Sequence, residues 1–293
     1  MMDLKQEMKE RCAYIEQALE QAVPEQKDFP PVIFEAMRYS LLAGGKRLRP
    51  MMVLAACEAV GGKKEDALPF ACALEMIHTY SLIHDDLPGM DNDDYRRGRL
   101  TNHKVFGEGF AILAGDGLLN YAYECILNNA LDYGANLEGH ILAAREIAQR
   151  AGVGGMVAGQ SIDLLSEHRE PNEATLHYIH MHKTADLLTA PLLAAAYIAG
   201  ADEKSIAALR TFGACVGLAF QIDDDLLDVM GDAKDLGKQT GMDEQRGKMT
   251  WPSLVGVEAA QKKSRELWTQ AEEALAVFGD SAWFLREFAE ALA

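Results

Sequence analysis

Apolar residues recur along this chain at helical intervals of three and four, while the alternation expected of strands is nearly absent. Residues 3–21 read as an amphipathic helix that stops near Pro24, and residues 32–43 as a second, ended by Gly44-Gly45. Pro50 suits the first turn of the next helix, 50–60. A long apolar helix over 66–87 carries His78, and others follow at about 108–130 and 138–150. The stretch AGVGGMVAGQSIDLL then supplies small residues that permit close helix approach. After Pro171 one long helix bears HKTADLL, with Pro191 as its expected kink. Segments 203–230, 252–277 and 281–292 complete the set, and about eleven helices with short connections predict an all-α bundle.

The chain has 293 residues, 49% of them apolar and 25% charged, which fits a soluble protein with a large core. It shows no Ser/Gly/Pro-rich linker, low-complexity tract or fixed-period repeat, so 1–293 reads as a single domain. A formal net charge of -17 argues against nucleic acid as a partner, but leaves small phosphorylated ligands open. Five cysteines, Cys12, Cys57, Cys72, Cys125 and Cys215, are odd in number and without a CxxC pair, as for thiols of a reducing compartment. The start MMDLKQEMKERC is too charged for a signal peptide, and the longest apolar run, Leu187 to Gly200, is too short to span a bilayer. A cytoplasmic protein with no membrane span is the expectation.

Two acidic clusters embedded in apolar sequence carry the candidate chemistry. Within LIHDDLPGMDNDDYRRGRLTN, from Leu82 to Asn102, five aspartates lie within ten residues and are followed by Arg96 and Arg97. So many carboxylates repel one another unless a cation sits among them, and Mg2+ prefers carboxylate oxygen shared with substrate phosphate. Arginines offer forked donors to phosphate. The second cluster, FQIDDDLLDV, spans Phe220 to Val229. Asp224 and Asp228, four apart, share a helix face about 40° apart, with Asp225 roughly 100° off. Asp85 and Asp91 are six apart, which a regular helix would splay, so Pro88 and Gly89 are expected to break the helix and return Asp91 toward Asp85.

Taken together in this order, GGKRLRP, DDLPGMD followed by RRG, GQSIDL, HKTA, FQIDDDLLD and the lysines after it resemble the motif set of the trans-isoprenyl diphosphate synthases, with the nearest likeness to bacterial farnesyl diphosphate synthases. The resemblance runs from about residue 30 to 255. It implies a single large helical bundle with a deep central cavity, usually a homodimer, that condenses isopentenyl diphosphate head to tail with an allylic diphosphate. Three Mg2+ ions are implied, with Mn2+ as a substitute, and small diphosphates as the partners.

Carried over by position, Asp85 and Asp91 would hold two metals and Asp224 the third, with Asp86, Asp225 and Asp228 close behind. Arg96, Lys183, Lys238 and Lys248 would contact the allylic diphosphate, and Lys46, Arg49, His78 and Arg97 the diphosphate of isopentenyl diphosphate. Thr184 and Gln221 would line the reaction centre, with Gln160 and Asp163 as supporting polar residues. Outside this setting, His78 alone would read as a core histidine and Lys183 as a surface lysine.

The chain departs from the family pattern at three points. Asn92 stands where bacterial members usually have Asp, giving MDND, a form also common among geranylgeranyl synthases. Leu100 replaces a usual proline, and the sequence ends at Ala293 without a short basic tail. A terpene cyclase would carry a different second motif, and a non-catalytic partner subunit tends to lose motif aspartates. Tyr80 and Ser81, just before the first motif, are the chain-length candidates, and since family members with an aromatic five residues before that motif generally form C15, the resemblance implies a farnesyl product, with geranylgeranyl (C20) as the alternative.

Overall fold

A computed structural model of the chain describes residues 3–26, 31–132, 136–170, 172–230 and 248–293. As the spacing predicts, these residues are almost entirely helical. Their contacts divide the chain into two compact units, Met1–Ala144 with Tyr197–Gly200, and Arg145–Ala196 with Ala201–Ala293.

In the first unit the helices are α1 (Leu4–Ala22), α2 (Pro31–Leu41), α3 (Leu48–Ala59), α4 (Lys64–Asp85), α5 (Asn102–Phe106) and α6 (Glu108–Asp132). Helix α3 is apolar apart from Arg49 and Glu58 and almost wholly buried, as a central helix must be. Helix α4 packs along both α3 and α6. Ala111, Ala114, Leu118, Ala122, Ile126 and Ala130 lie on the buried face of α6, and the alanines among them let the α4 backbone approach. Gly115 makes the closest contact, because an added β-carbon would collide with the His84 ring of α4.

Between α4 and α5 lies a hairpin that helical periodicity could not announce. Strands β1 (Tyr95–Arg96) and β2 (Arg99–Leu100) pair antiparallel around Arg97-Gly98, both at positive φ (53° and 75°), as a two-residue hairpin turn requires. Asn92 also lies at positive φ (54°), a conformation that asparagine tolerates better than most residues. Its difference from the family's aspartate therefore suits the local backbone.

Helix α7 (Leu137–Ala151) leads toward the second unit, built from α8 (Met156–Ser166), α9 (Glu173–Ile179), α10 (Asp186–Ile198), α11 (Glu203–Met230), α12 (Trp251–Val255), α13 (Val257–Ala274) and α14 (Trp283–Glu290). From Glu173 the chain stays helical to Ile198, as expected of one long helix around Pro191. The irregularity lies upstream, where His180–Ala185 widens into a π turn, and Pro191 sits within α10. Tight packing accompanies the wide turn: Gly159 of α8 abuts the Lys183 backbone and Gly217 of α11 abuts Ala185. The segment expected over 252–277 is likewise divided, at Gly256 (φ 83°), and ends in a 3-10 stretch, Leu275–Ala282. Helix α11 is long and apolar enough to cross a membrane, yet 56% of its most apolar window is buried, as in a core helix.

Candidate active site

Helix α4 ends at Asp85, and the chain then folds back on itself through Pro88-Gly89. The Asp91 N–H donates to the Asp85 carbonyl at 2.8 Å, while Met90 and Asn92 donate to Leu87 at 2.9 and 3.1 Å. This places the two aspartates, six apart in sequence, on adjoining backbone, as their spacing suggests. Among the described residues no three His, Cys, Asp or Glu side chains form a metal cage by themselves. Partly exposed aspartates on adjoining backbone fit a hard cation that takes its other ligands from water and phosphate.

The other charges of this stretch are already engaged. Asp86 is buried, and Arg96 donates to it from Nε at 2.8 and 3.0 Å and reaches it from Nη2 at 2.6 Å. Burial pushes the Asp86 carboxyl up, and Arg96 partly offsets this. Such a bidentate pair is rigid, so Asp86 holds Arg96 in place beside the turn. Asp94 pairs with Lys104 at 2.7 Å, and the Thr101 hydroxyl donates to the Asp93 carbonyl at 2.8 Å. At the departure Leu100, the carbonyl accepts from Tyr39 Oη at 2.8 Å.

The cations expected to hold isopentenyl diphosphate come from the GGKRLRP loop, α4 and the hairpin. Arg97 donates to the Gly44 carbonyl, and its guanidinium lies where a Gly45 side chain would be, so this glycine pair accommodates Arg97 as well as ending α2. Burial pulls the Arg49 guanidinium down to about 10 against the opposing pull of Glu75, with Arg97 adding a smaller push downward, and the Arg49 Nε is buried without a hydrogen-bond partner. Burial and then Arg49, Arg97, Arg96 and Arg47 hold the His78 imidazole well below its usual range. Lys46 is exposed on the same loop. Two close arginines, one with an orphaned donor, beside a neutral imidazole make a ready site for an anion.

The middle cation of the loop was not foreseen as a site residue. Arg47 is buried at φ 50° and donates to Glu16 and Glu75, each at 2.6 Å, and to the Leu41 carbonyl at 2.7 Å. It ties α1, α2 and α4 together beneath Lys46 and Arg49. The signal was Glu75, a lone acid in the apolar run FACALEMI, because a buried carboxylate needs a cation.

In the second unit, Lys183, Thr184, Gln221, Asp224, Lys248 and Asp163 line one cavity. Lys183 Nζ contacts Asp163 Oδ2 at 2.5 Å, which gives Asp163 a partner. The Thr184 hydroxyl donates to Gln221 Oε1 at 2.8 Å, and Gln221 Nε2 donates to Asp225 Oδ1 at 3.2 Å. Asp224 is exposed and Asp228 partly so, on the face that their four-residue spacing gives them. Their neighbours turn elsewhere. Asp223 accepts from Ser264 Oγ at 2.5 Å and Trp268 Nε1 at 2.7 Å on α13, and buried Asp225 accepts from the Trp251 N–H at 2.9 Å. Asp225, expected near the metal, thus braces the site from within. Gln160 is half-buried on α8, and Lys238 lies outside the described residues. His180 and Trp251 join this network without having been anticipated.

An all-α protein with an aspartate turn, an anion-ready cluster of cations and a second aspartate–lysine cavity has the groups that a diphosphate and a hard metal would engage. The sequence profile of the polyprenyl synthetase family matches residues 30–277, and the chain belongs to that family of prenyl-transferring enzymes. It is 47% identical to the geranylgeranyl diphosphate synthase of Cyanophora paradoxa over 93% of this chain and 90% of that one. It is also 47% identical to the heterodimeric geranylgeranyl pyrophosphate synthase large subunit 1 of Arabidopsis thaliana, covering 92% and 72%. Among solved structures, an FPP/GFPP synthase from Zymomonas mobilis superposes with a TM-score of 0.89 at 36% identity, over 99% of both chains. A geranyltransferase from Helicobacter pylori, complexed with magnesium and isoprenyl diphosphate, gives 0.84 at 32%, covering 100% and 97%.

Proposed function

We propose that this protein makes farnesyl diphosphate by adding isopentenyl diphosphate head to tail to dimethylallyl and then geranyl diphosphate. The observation that carries the reading is the pair Arg49 and Arg97, of which Arg97 disfavours the charge on Arg49, beside a His78 that both arginines hold neutral, with an unpartnered Arg49 donor. A diphosphate would relieve that repulsion. Lys46 would add a further cation from the loop, and Arg96 and Lys183, with Lys238 and Lys248, would take the allylic diphosphate.

The allylic C–O bond breaks to give a carbocation and diphosphate. The isopentenyl double bond attacks the cation, and a proton then leaves to the departing diphosphate. Mg2+ held by Asp85, Asp91 and Asp224 would supply the neutralisation that ionisation needs. Asp86, Asp225 and Asp228 would support those ligands. The Thr184 hydroxyl and the Gln221 amide line the cavity and can turn oxygen dipoles toward the developing cation. No protein nucleophile is required.

Support for the C15 product comes from Tyr80, which is only 7% exposed and lies on α4 five residues before Asp85. A second reading, a C20 product, is favoured by relatives named geranylgeranyl synthases and by the MDND motif. Incubation with isopentenyl diphosphate, Mg2+ and each allylic primer, with product length read by chromatography, tests both. C15 is expected, C20 selects the second reading, and no product from any primer overturns the function. A homodimer belongs to the same proposal. Its support is the apolar outer face of α6, where Leu113, Leu127 and Leu131 are 54%, 51% and 78% exposed, and light scattering would measure it.

A further inference from the structure

The π turn, the second acidic motif and the start of α12 are joined by one hydrogen-bond ring. Trp251, the first residue of α12, is 4% exposed and 71 positions from His180 in sequence. Its indole Nε1–H donates to His180 Nδ1 at 2.9 Å, and its backbone N–H donates to Asp225 Oδ2 at 2.9 Å. Indole nitrogen can only donate, so His180 Nδ1 carries the lone pair and Nε2 the proton. That Nε2 faces Asp225 Oδ2 at 3.6 Å. From Asp225 the ring continues to Gln221 and then Thr184, four residues after His180.

The segment before Trp251 is short and irregular. Lys248, Met249 and Thr250 are not helical, and Thr250 caps α12 by exchanging hydrogen bonds with Ser253. Lys248 and Met249 nonetheless line the cavity with Lys183 and Asp224. Trp251 is thus the buried point from which Lys248 is directed into that cavity.

We infer that the Trp251–His180 hydrogen bond is a latch, and that both residues are positioning residues that fix Lys248 and Asp225 for the allylic diphosphate. The inference rests on the proposed function only for the identity of that ligand. Trp251 does not line that cavity, and His180 borders it with its ring nitrogens turned to Trp251 and Asp225. Their effect should therefore travel through Lys248, and the coupling can be measured.

Trp251→Phe removes the indole donor and keeps most of the ring volume. It should raise KM for the allylic diphosphate about five- to ten-fold and leave KM for isopentenyl diphosphate within about two-fold, since lost binding appears only on the substrate concerned. His180→Phe, which cuts the same bond from its other end, should give the same split. In a Lys248→Ala background Trp251→Phe should add less than about two-fold, because residues acting through one another are not additive. Calorimetric binding of inorganic pyrophosphate in Mg2+ reads the same loss without turnover. Equal changes on both substrates, or fully multiplicative effects with Lys248→Ala, would overturn the latch. If the unaltered protein forms no prenyl product but Trp251→Phe still weakens pyrophosphate binding, the latch stands and the assigned reaction falls.

Discussion

Gly159 of α8 lies against the backbone of Lys183, so that a β-carbon added there would sit 2.7 Å from Lys183 Cα. No side-chain movement can relieve that contact, because the obstacle is main chain. The π turn that presents Lys183 and Thr184 is thus pressed from one side by Gly159 and from another by Gly217.

Gly159→Ala should therefore displace the turn rather than merely crowd it. Overpacking costs about 1–3 kcal/mol of stability. A displacement of ~1 Å at a positioning residue costs about 10²-fold in rate. Thermal unfolding and product formation, measured on the same preparation, should show a modest shift in the first and a large loss in the second. Wild-type turnover in Gly159→Ala would mean that the turn does not position the reacting groups.

The aspartates give a complementary case. Asp85 is partly exposed and Asp224 exposed, so replacing either by Ala relieves repulsion without opening the core. Turnover should fall by ~10²-fold or more, the typical cost of removing a group that stabilises transition-state charge. Excess chelator should do the same to the unaltered protein, with recovery on adding Mg2+. Circular dichroism should stay native throughout.

Much of this site was legible because its chemistry is written in local spacing. The Asp85–Asp91 return follows from Pro88-Gly89, and the pairing of Asp224 with Asp228 from one helical turn. What was not legible depends on residues distant in sequence. Arg47 reads as one more cation of a basic loop until Glu16 and Glu75 are seen on either side of it. His180 and Trp251 are ordinary apolar-helix residues until the fold joins them. The hairpin at Arg97-Gly98 has two-residue strands, too short for any periodicity to show. The π turn has no sequence marker except the glycines that face it.

The two sets of cations should separate kinetically. Arg49→Ala should chiefly raise KM for isopentenyl diphosphate, whereas Lys183→Ala should act on the allylic substrate, about ten-fold in each case if one charge-assisted hydrogen bond is lost. Steady-state kinetics with each substrate varied in turn decides this. Identical profiles for the two variants would abolish the division.

His180 makes stability depend on pH. Burial holds its imidazole down at about 3, against the smaller opposing pull of Asp163, while His177 and Lys183 push it lower. In the unfolded chain the ring takes a proton near ~6.5. Its contribution is therefore complete above that pH. It is lost as pH falls toward 3, where the folded ring protonates, because the unfolded state binds a proton that the native ring refuses. The slope due to this one group is at most ~1.4 kcal/mol per pH unit. Urea unfolding between pH 7 and 4 should show a shallower loss for His180→Gln than for the unaltered protein. Parallel curves would show that His180 is not held neutral.

Product length turns on Tyr80. Each residue back along α4 lies ~1.5 Å deeper, which puts Tyr80 ~7.5 Å below Asp85 and Ser81 ~6 Å below it. A growing chain that runs down α4 from the aspartate turn must pass this level. Ser81 is small, and its hydroxyl donates to the His78 carbonyl at 2.9 Å, so it leaves room. Tyr80 is large and packs edge-on against His84 at 5.7 Å, which in turn abuts Gly115 of α6. Burial, then Tyr123 and Asp85, push its hydroxyl up to about 12, so the ring is a neutral wall at any working pH. Tyr80→Ala should remove that wall and shift products from C15 to C20 or longer. The variant should lose ~3–5 kcal/mol if the ring is simply core filling, and less if it borders a cavity. Mass spectrometry of the products and thermal unfolding, taken together, separate these cases. A well-folded Tyr80→Ala protein that still stops at C15 would place the floor of the cavity at another residue, and a wild-type C20 product would mean that Tyr80 is no floor at all.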